Sequence, residues 1–184
     1  MTTLDDALAH LETHCAFSAV PGTAWTNSDF ETYATRSDFR IPPDLEALLR
    51  RVGTCAAEEN DGFVATYEDG TRLVHETQML STDCGKVLDR HSAFIANDSG
   101  SSRFPLPMVF FGTADAGQNH LLMNGREHSD RAVYLWVRND DPFGTGGNAR
   151  GLGRVADTLF DFLAGLHAPD ALEAPEQPHW DFSR

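Results

Sequence analysis

Residues 110–125 read FFGTADAGQNHLLMNG. Two aromatics run into Gly112, an acidic turn follows, Gly117 closes it, and the apolar pair Leu121 and Leu122 comes next. One reading is a catalytic loop with Asp115 and His120 set for proton transfer. The other is a hairpin between two strands, in which Asp115 is a turn residue. The flanking sequence favours strands. MVFFG, HLLMN and AVYLWVR are short runs rich in aromatic and branched apolar residues, the composition that fits a pleated, half-buried surface.

Upstream, FVATY, an Asp-Gly turn (Glu68, Asp69, Gly70) and TRLVH give a second hairpin signal. Residues 77–106 carry no sharp pattern: VLDRHSAFIA suits a short helix or a strand, and NDSGSSRFP reads as loop. DDPFGTGGNARGLG reads as a long glycine-rich turn.

Helical periodicity brackets these strands. Leu4, Ala7, Leu8 and Leu11 recur at helical spacing, with Thr2 or Thr3 as cap and Asp5 and Asp6 in the first turn. Residues 20–40 read as loop. IPPDLEALLRRVG opens on two prolines, aligns Leu45, Leu48, Leu49 and Val52, and stops at Gly53. VADTLFDFLAGL puts Val155, Leu159, Phe162, Leu163 and Leu166 on one stripe of a closing helix. The fold expected is α+β, a mainly antiparallel sheet of about five to six strands flanked by N-terminal and C-terminal helices. One domain over 1–184 is expected, with its core at 40–167, a helix and loop at 1–39, and a tail at 168–184 in which Trp180 and Phe182 pin to the body or meet a partner.

Charge narrows the function. Asp and Glu number 28 against 14 Lys and Arg, a formal net charge of −14. That field repels phosphate backbones and anionic membranes and speeds encounter with basic partners. Cys15, Cys55 and Cys84 are three scattered thiols, neither a disulfide framework nor a thiolate metal site. The acidic N-terminus and the lack of a long apolar run point to a soluble, cytoplasmic protein with reduced thiols.

No motif carries chemistry. HLETH at 10–14 places two histidines one helical turn apart, but Glu12 does not directly follow the first histidine, as the zinc-protease signature requires. GTGGNA at 144–149 lacks the strand before it and the crossover after it that a dinucleotide site needs. His120 with His128, and Cys84 with His91, lack further ligands at a metal-binding spacing. Ser99, Ser101 and Ser102 sit in no nucleophile elbow. The expectation is therefore no catalytic residue, no metal and no cofactor.

IPPDLEALLRRVG, FFGTADAGQNHLLMN, VYLWVRNDD and VADTLFDFLAGL, in that order, resemble the SUKH superfamily, which includes bacterial immunity proteins and yeast cell-wall assembly regulators. The resemblance covers roughly residues 40–167. It implies that the quoted turn is structural, with Gly112 and Gly117 relieving backbone strain and Phe110 and Phe111 on opposite faces of a strand. It also implies a non-catalytic protein-binding role, as an immunity protein whose acidic face neutralises a basic toxin domain, such as a nuclease. The contact residues expected are loop-borne acids: Glu58, Glu59 and Asp61, Asp115, and Asp140 and Asp141. A regulatory module with a cellular partner and an enzyme with a dispersed site are the alternatives.

Overall fold

A computed structural model describes residues 2–37, 39–57, 61–96, 108–127, 129–137, 151–168 and 171–172. The described elements are α1 (Leu4–His14), β1 (Phe17–Ala19), α2 (Asn27–Arg36), α3 (Pro43–Arg51), β2 (Cys55–Ala57), β3 (Gly62–Thr66), β4 (Arg72–Ser81), α4 (Cys84–Ala96), β5 (Met108–Ala114), β6 (Asn119–Asn124), β7 (Val133–Trp136), β8 (Leu152–Ala156) and α5 (Leu159–Ala164). The α+β class is as expected.

Every pairing between strands is antiparallel. The order β4-β3-β8-β7-β6-β5 closes on itself through β4–β5, making a six-stranded barrel, and β1–β2 extend from β4 as a wing. Strand β4 is the shared member. Residues 72–76 pair with β3, Thr77 and Met79 with β5, and Met79 and Ser81 with β2.

Side-chain caps start α1, α2 and α5, and prolines start α3. Thr3 and Asp6 make a reciprocal capping box on α1, and Ala7, Leu8 and Leu11 bury its inner face. Helix α3 starts behind Pro42 and Pro43 and places Leu45, Leu48 and Leu49 in the core. Gly53 follows at φ 64, so close to the backbone of Thr23 that a Cβ would collide with it. Across the molecule, Arg131 grips Asp44 with two guanidinium nitrogens, Nε at 3.0 Å and Nη2 at 2.7 and 2.8 Å, tying α3 to the approach to β7.

Two expectations are corrected. Residues 20–40 are not all loop. Thr26 and Asp29 form a second capping box, and Trp25, Phe30 and Tyr33 pack ring against ring at 5.2 and 6.2 Å, so a largely polar segment becomes α2 by docking one aromatic edge. Second, the closing helix begins only at Leu159, behind the Thr158 cap. Residues 152–156 are β8, whose register with β7 and β3 closes the barrel, and Val155 lies in that strand. Of the two readings of VLDRHSAFIA, a short helix or a strand, the helix holds, as part of α4.

The quoted stretch is a hairpin of β5 and β6. Phe110 and Phe111 are both buried, yet they meet different helices: the Arg90 guanidinium of α4 lies over Phe110, and Phe111 packs against Phe162 of α5. The sheet is covered on both sides here. Gly112 is required by close approach rather than by strain, since a Cβ would strike the Met79 carbonyl where β4 crosses β5. The segments NDSGSSRFP and 140–150, including GTGGNA and Ser99, Ser101 and Ser102, lie outside the described residues, as do His128, Trp180 and Phe182; the end of the expected glycine-rich turn, Leu152 and Gly153, belongs instead to β8. Among the described residues no helix is long and apolar enough to cross a membrane.

Candidate functional site

Ala114 and Asn119 are paired across the hairpin, so four residues, 115–118, turn the chain. Three of them are left-handed in succession: Asp115 at φ 51, Ala116 at φ 56 and Gly117 at φ 80. Glycine adopts this region freely, whereas each L-residue there costs roughly 1–2 kcal/mol. Something must hold Asp115 and Ala116 in place.

The Asp115 carboxylate does so. It accepts from His75 Nδ1 at 2.7 Å, from the Glu76 backbone N–H at 3.0 Å and from Asn119 Nδ2 at 2.5 Å. Its own N–H donates to the Glu76 carbonyl at 2.8 Å. Beyond it, Tyr67 Oη lies 2.9 Å from His75 Nε2. One proton arrangement satisfies the whole chain: Tyr67 O–H donates to Nε2, and Nδ1–H donates to Asp115. The imidazole stacks on Phe63, its direct cross-strand neighbour, at 5.8 Å. The phenol ring fits because residue 153 is glycine, where a Cβ would stand 2.9 Å from it. Burial pushes the Asp115 carboxyl up, but hydrogen bonds from His75, the Glu76 N–H and Asn119 outweigh it and hold it below the usual carboxylate range.

This linkage resembles a nucleophile–histidine–acid relay but runs in the opposite direction. A relay works when the group beyond the histidine faces substrate and the carboxylate lies behind it. Here the carboxylate side chain is the more accessible end at 29% exposure, while His75 and Tyr67 are each 8% exposed. The arrangement clamps a strained turn. His120 is not the partner of Asp115; its buried ring packs between Phe110 and Trp136, 5.6 Å from each. Nor are the thiols activated, because burial pushes Cys15 up to about 12, Cys55 up to about 11, and Cys84 upward as well.

Of the acids expected at a partner surface, Asp115 is at the turn as read. Asp61 is not a surface residue: it is 3% exposed, directly before β3. Glu58, Glu59, Asp140 and Asp141 lie outside the described residues. Beside the turn, Glu76 and Gln78 of β4 are exposed, as are Ala116 and Gln118 at its tip. A depression of about 270 Å³ between β3, β8 and α5 holds Phe63, Arg72 and Asp161 among its lining. Asp161 is already engaged there with Thr2 and Thr158.

Sequence reasoning missed His75, Tyr67 and Asn119. One signal was present: pairing Thr66 with Arg72 across the Asp-Gly turn sets His75 opposite Phe63. The 40-residue separation of His75 from Asp115 had none. No family model, curated protein or solved structure matches this chain.

Proposed function

We propose that this chain is a cytoplasmic, non-catalytic protein-binding domain of the SUKH-like immunity type, which neutralises a basic toxin domain through an acidic surface centred on the 115–118 turn. The observation that carries the reading is the clamped turn. Three hydrogen bonds to the Asp115 carboxylate and two at its backbone, to the Glu76 carbonyl and from the Gln118 N–H, hold two L-residues in a costly conformation at an exposed tip, and strain of that kind is kept where a surface must be rigid before it meets its ligand. The net charge of −14 supplies long-range attraction for a basic partner, such as a nuclease with a cationic cleft. Glu76, exposed beside the turn, is the further acidic contact we assign to this surface; Glu58, Glu59, Asp140 and Asp141 are proposed as partner contacts from their acidic character alone.

The test is binding of purified basic toxin domains, nucleases first, at ~50 mM and ~300 mM salt, a range over which screening shortens to well under 10 Å. The expected result is a single partner whose activity is abolished, with an association rate that falls at the higher salt. Gln118→Arg together with Ala116→Arg should weaken that binding without unfolding the domain. Binding that is indifferent to salt and to both substitutions would overturn the reading.

A further inference from the structure

The seam between β3 and β8 is unfinished. Tyr67 N–H donates to the Thr71 carbonyl at 2.9 Å, so on β3 the odd-numbered residues bond β4, and Gly62, Val64 and Thr66 point their N–H and C=O groups the other way. Gly62 N–H donates to the His167 carbonyl at 2.6 Å, and the Gly62 carbonyl accepts from His167 N–H at 3.3 Å. Thr66 pairs with Arg154, and the β3–β8 register ends at that one bridge. Continued by two residues it would join Val64 to Ala156; instead the chain leaves β8 there for α5. Of the three residues on this edge, Val64 alone has no strand partner.

Val64 lines the depression of about 270 Å³ between β3, β8 and α5, together with Val155, Phe162, Leu172, Arg72 and Asp161. Its backbone N–H and C=O, side by side, match one residue of an extended chain, which returns the same pair in reverse. A continuous strand does not fit, because Arg154 and His167 close the edge on either side of Val64. A chain end does. Arg72, exposed on β4 opposite Thr66, makes no ion pair among the described residues, although acids number 28 against 14 basic residues. Asp161 accepts from the Thr2 and Thr158 hydroxyls at 2.5 and 2.7 Å. It repels a second carboxylate, so the negative group of a ligand belongs at the Arg72 end.

We propose that this depression binds the carboxyl-terminal residue of a partner peptide. The amide of that residue pairs with Val64, its side chain packs on Val155, Phe162 and Leu172, and its carboxylate accepts from the Arg72 guanidinium. Asp115 and Glu76 do not line the depression, so the proposal stands apart from the reading of the 115–118 turn.

The test follows the ¹⁵N-labelled full-length chain by NMR with acetylated tripeptides ending in Leu, Phe or Val, each as the free acid and as the carboxyl-terminal amide. In the free protein the Val64 amide should exchange with solvent about tenfold faster than those of Phe63 and Ala65, which bond β4. At ~10 mM, at least one free acid is expected to shift and protect the Val64 N–H, with the matching amide about tenfold weaker. Arg72→Gln removes that preference, and a spectrum otherwise like the parent's shows that the variant folds. Should it unfold, the comparison of acid with amide on the parent chain decides. Slow exchange at Val64 in the free protein, no shift there with any of the acids, equal affinity for acid and amide, or an acid preference kept in folded Arg72→Gln would overturn the proposal.

Discussion

At the scale of the residue, Asp115 and Ala116 make opposite predictions from one turn. Ala116 is exposed and left-handed at φ 56, and no hydrogen bond of its side chain compensates. Ala116→Gly should therefore stabilise the domain, by up to about 1 kcal/mol once the extra freedom of glycine in the unfolded chain is counted. Asp115→Ala removes the acceptor for His75, Asn119 and the Glu76 N–H and should destabilise by about 1–3 kcal/mol. Urea midpoints of both variants check the pair; a destabilised Ala116→Gly would show that the conformation is not strained. Gly153→Ala forces a methyl against the Tyr67 ring and Ala65 and should cost about 1–3 kcal/mol by overpacking, read as a lowered Tm. The hairpin was legible from the apolar runs on either side of its Asp-Gly-containing turn. The clamp was not, because a hydrogen bond between residues 75 and 115 leaves no mark on local pattern.

At the scale of the element, legibility followed the strength of the apolar stripe. Helix α3 was readable because Leu45, Leu48 and Leu49 recur at helical spacing behind two prolines. Helix α2 hid because its one fully buried residue is Tyr33, and its start is fixed by the Thr26–Asp29 box rather than by hydrophobicity. That assigns α2 a measurable dependence: Thr26→Ala should cost about 1 kcal/mol and raise hydrogen exchange in residues 27–36 before other helices respond. Strand β8 was misread because Val155 falls in helical phase with Leu159 and Phe162. Barrel closure overrides that phase, since residues 152–156 bridge β3 and β7.

At the scale of the whole molecule, acidity has two uses. Asp6, Asp29 and Asp161 sit in capping boxes or at caps and, with Asp115, have carboxyls held below the usual range by side-chain and backbone hydrogen bonds. Their folded values lie below their unfolded ones, so the stability they give is present above the unfolded value near 4 and is lost as pH falls through the folded values. A stability–pH curve should decline below about pH 4, and Asp115→Asn should flatten part of that decline. The net charge of −14 leaves the folded chain self-repelling, so added salt near neutrality should raise Tm while it slows association with a basic partner.

The barrel also sets an order of events in time. The β3–β4 hairpin closes a loop of a few residues, but the seam of β3 with β8 joins Thr66 to Arg154, and such distant pairings form late and slowly. During synthesis the chain must wait for that last strand. Until residue 154 has left the ribosome, β3 and β7 each carry an unpaired edge, the state in which a nascent chain is most exposed to aggregation and most in need of a chaperone.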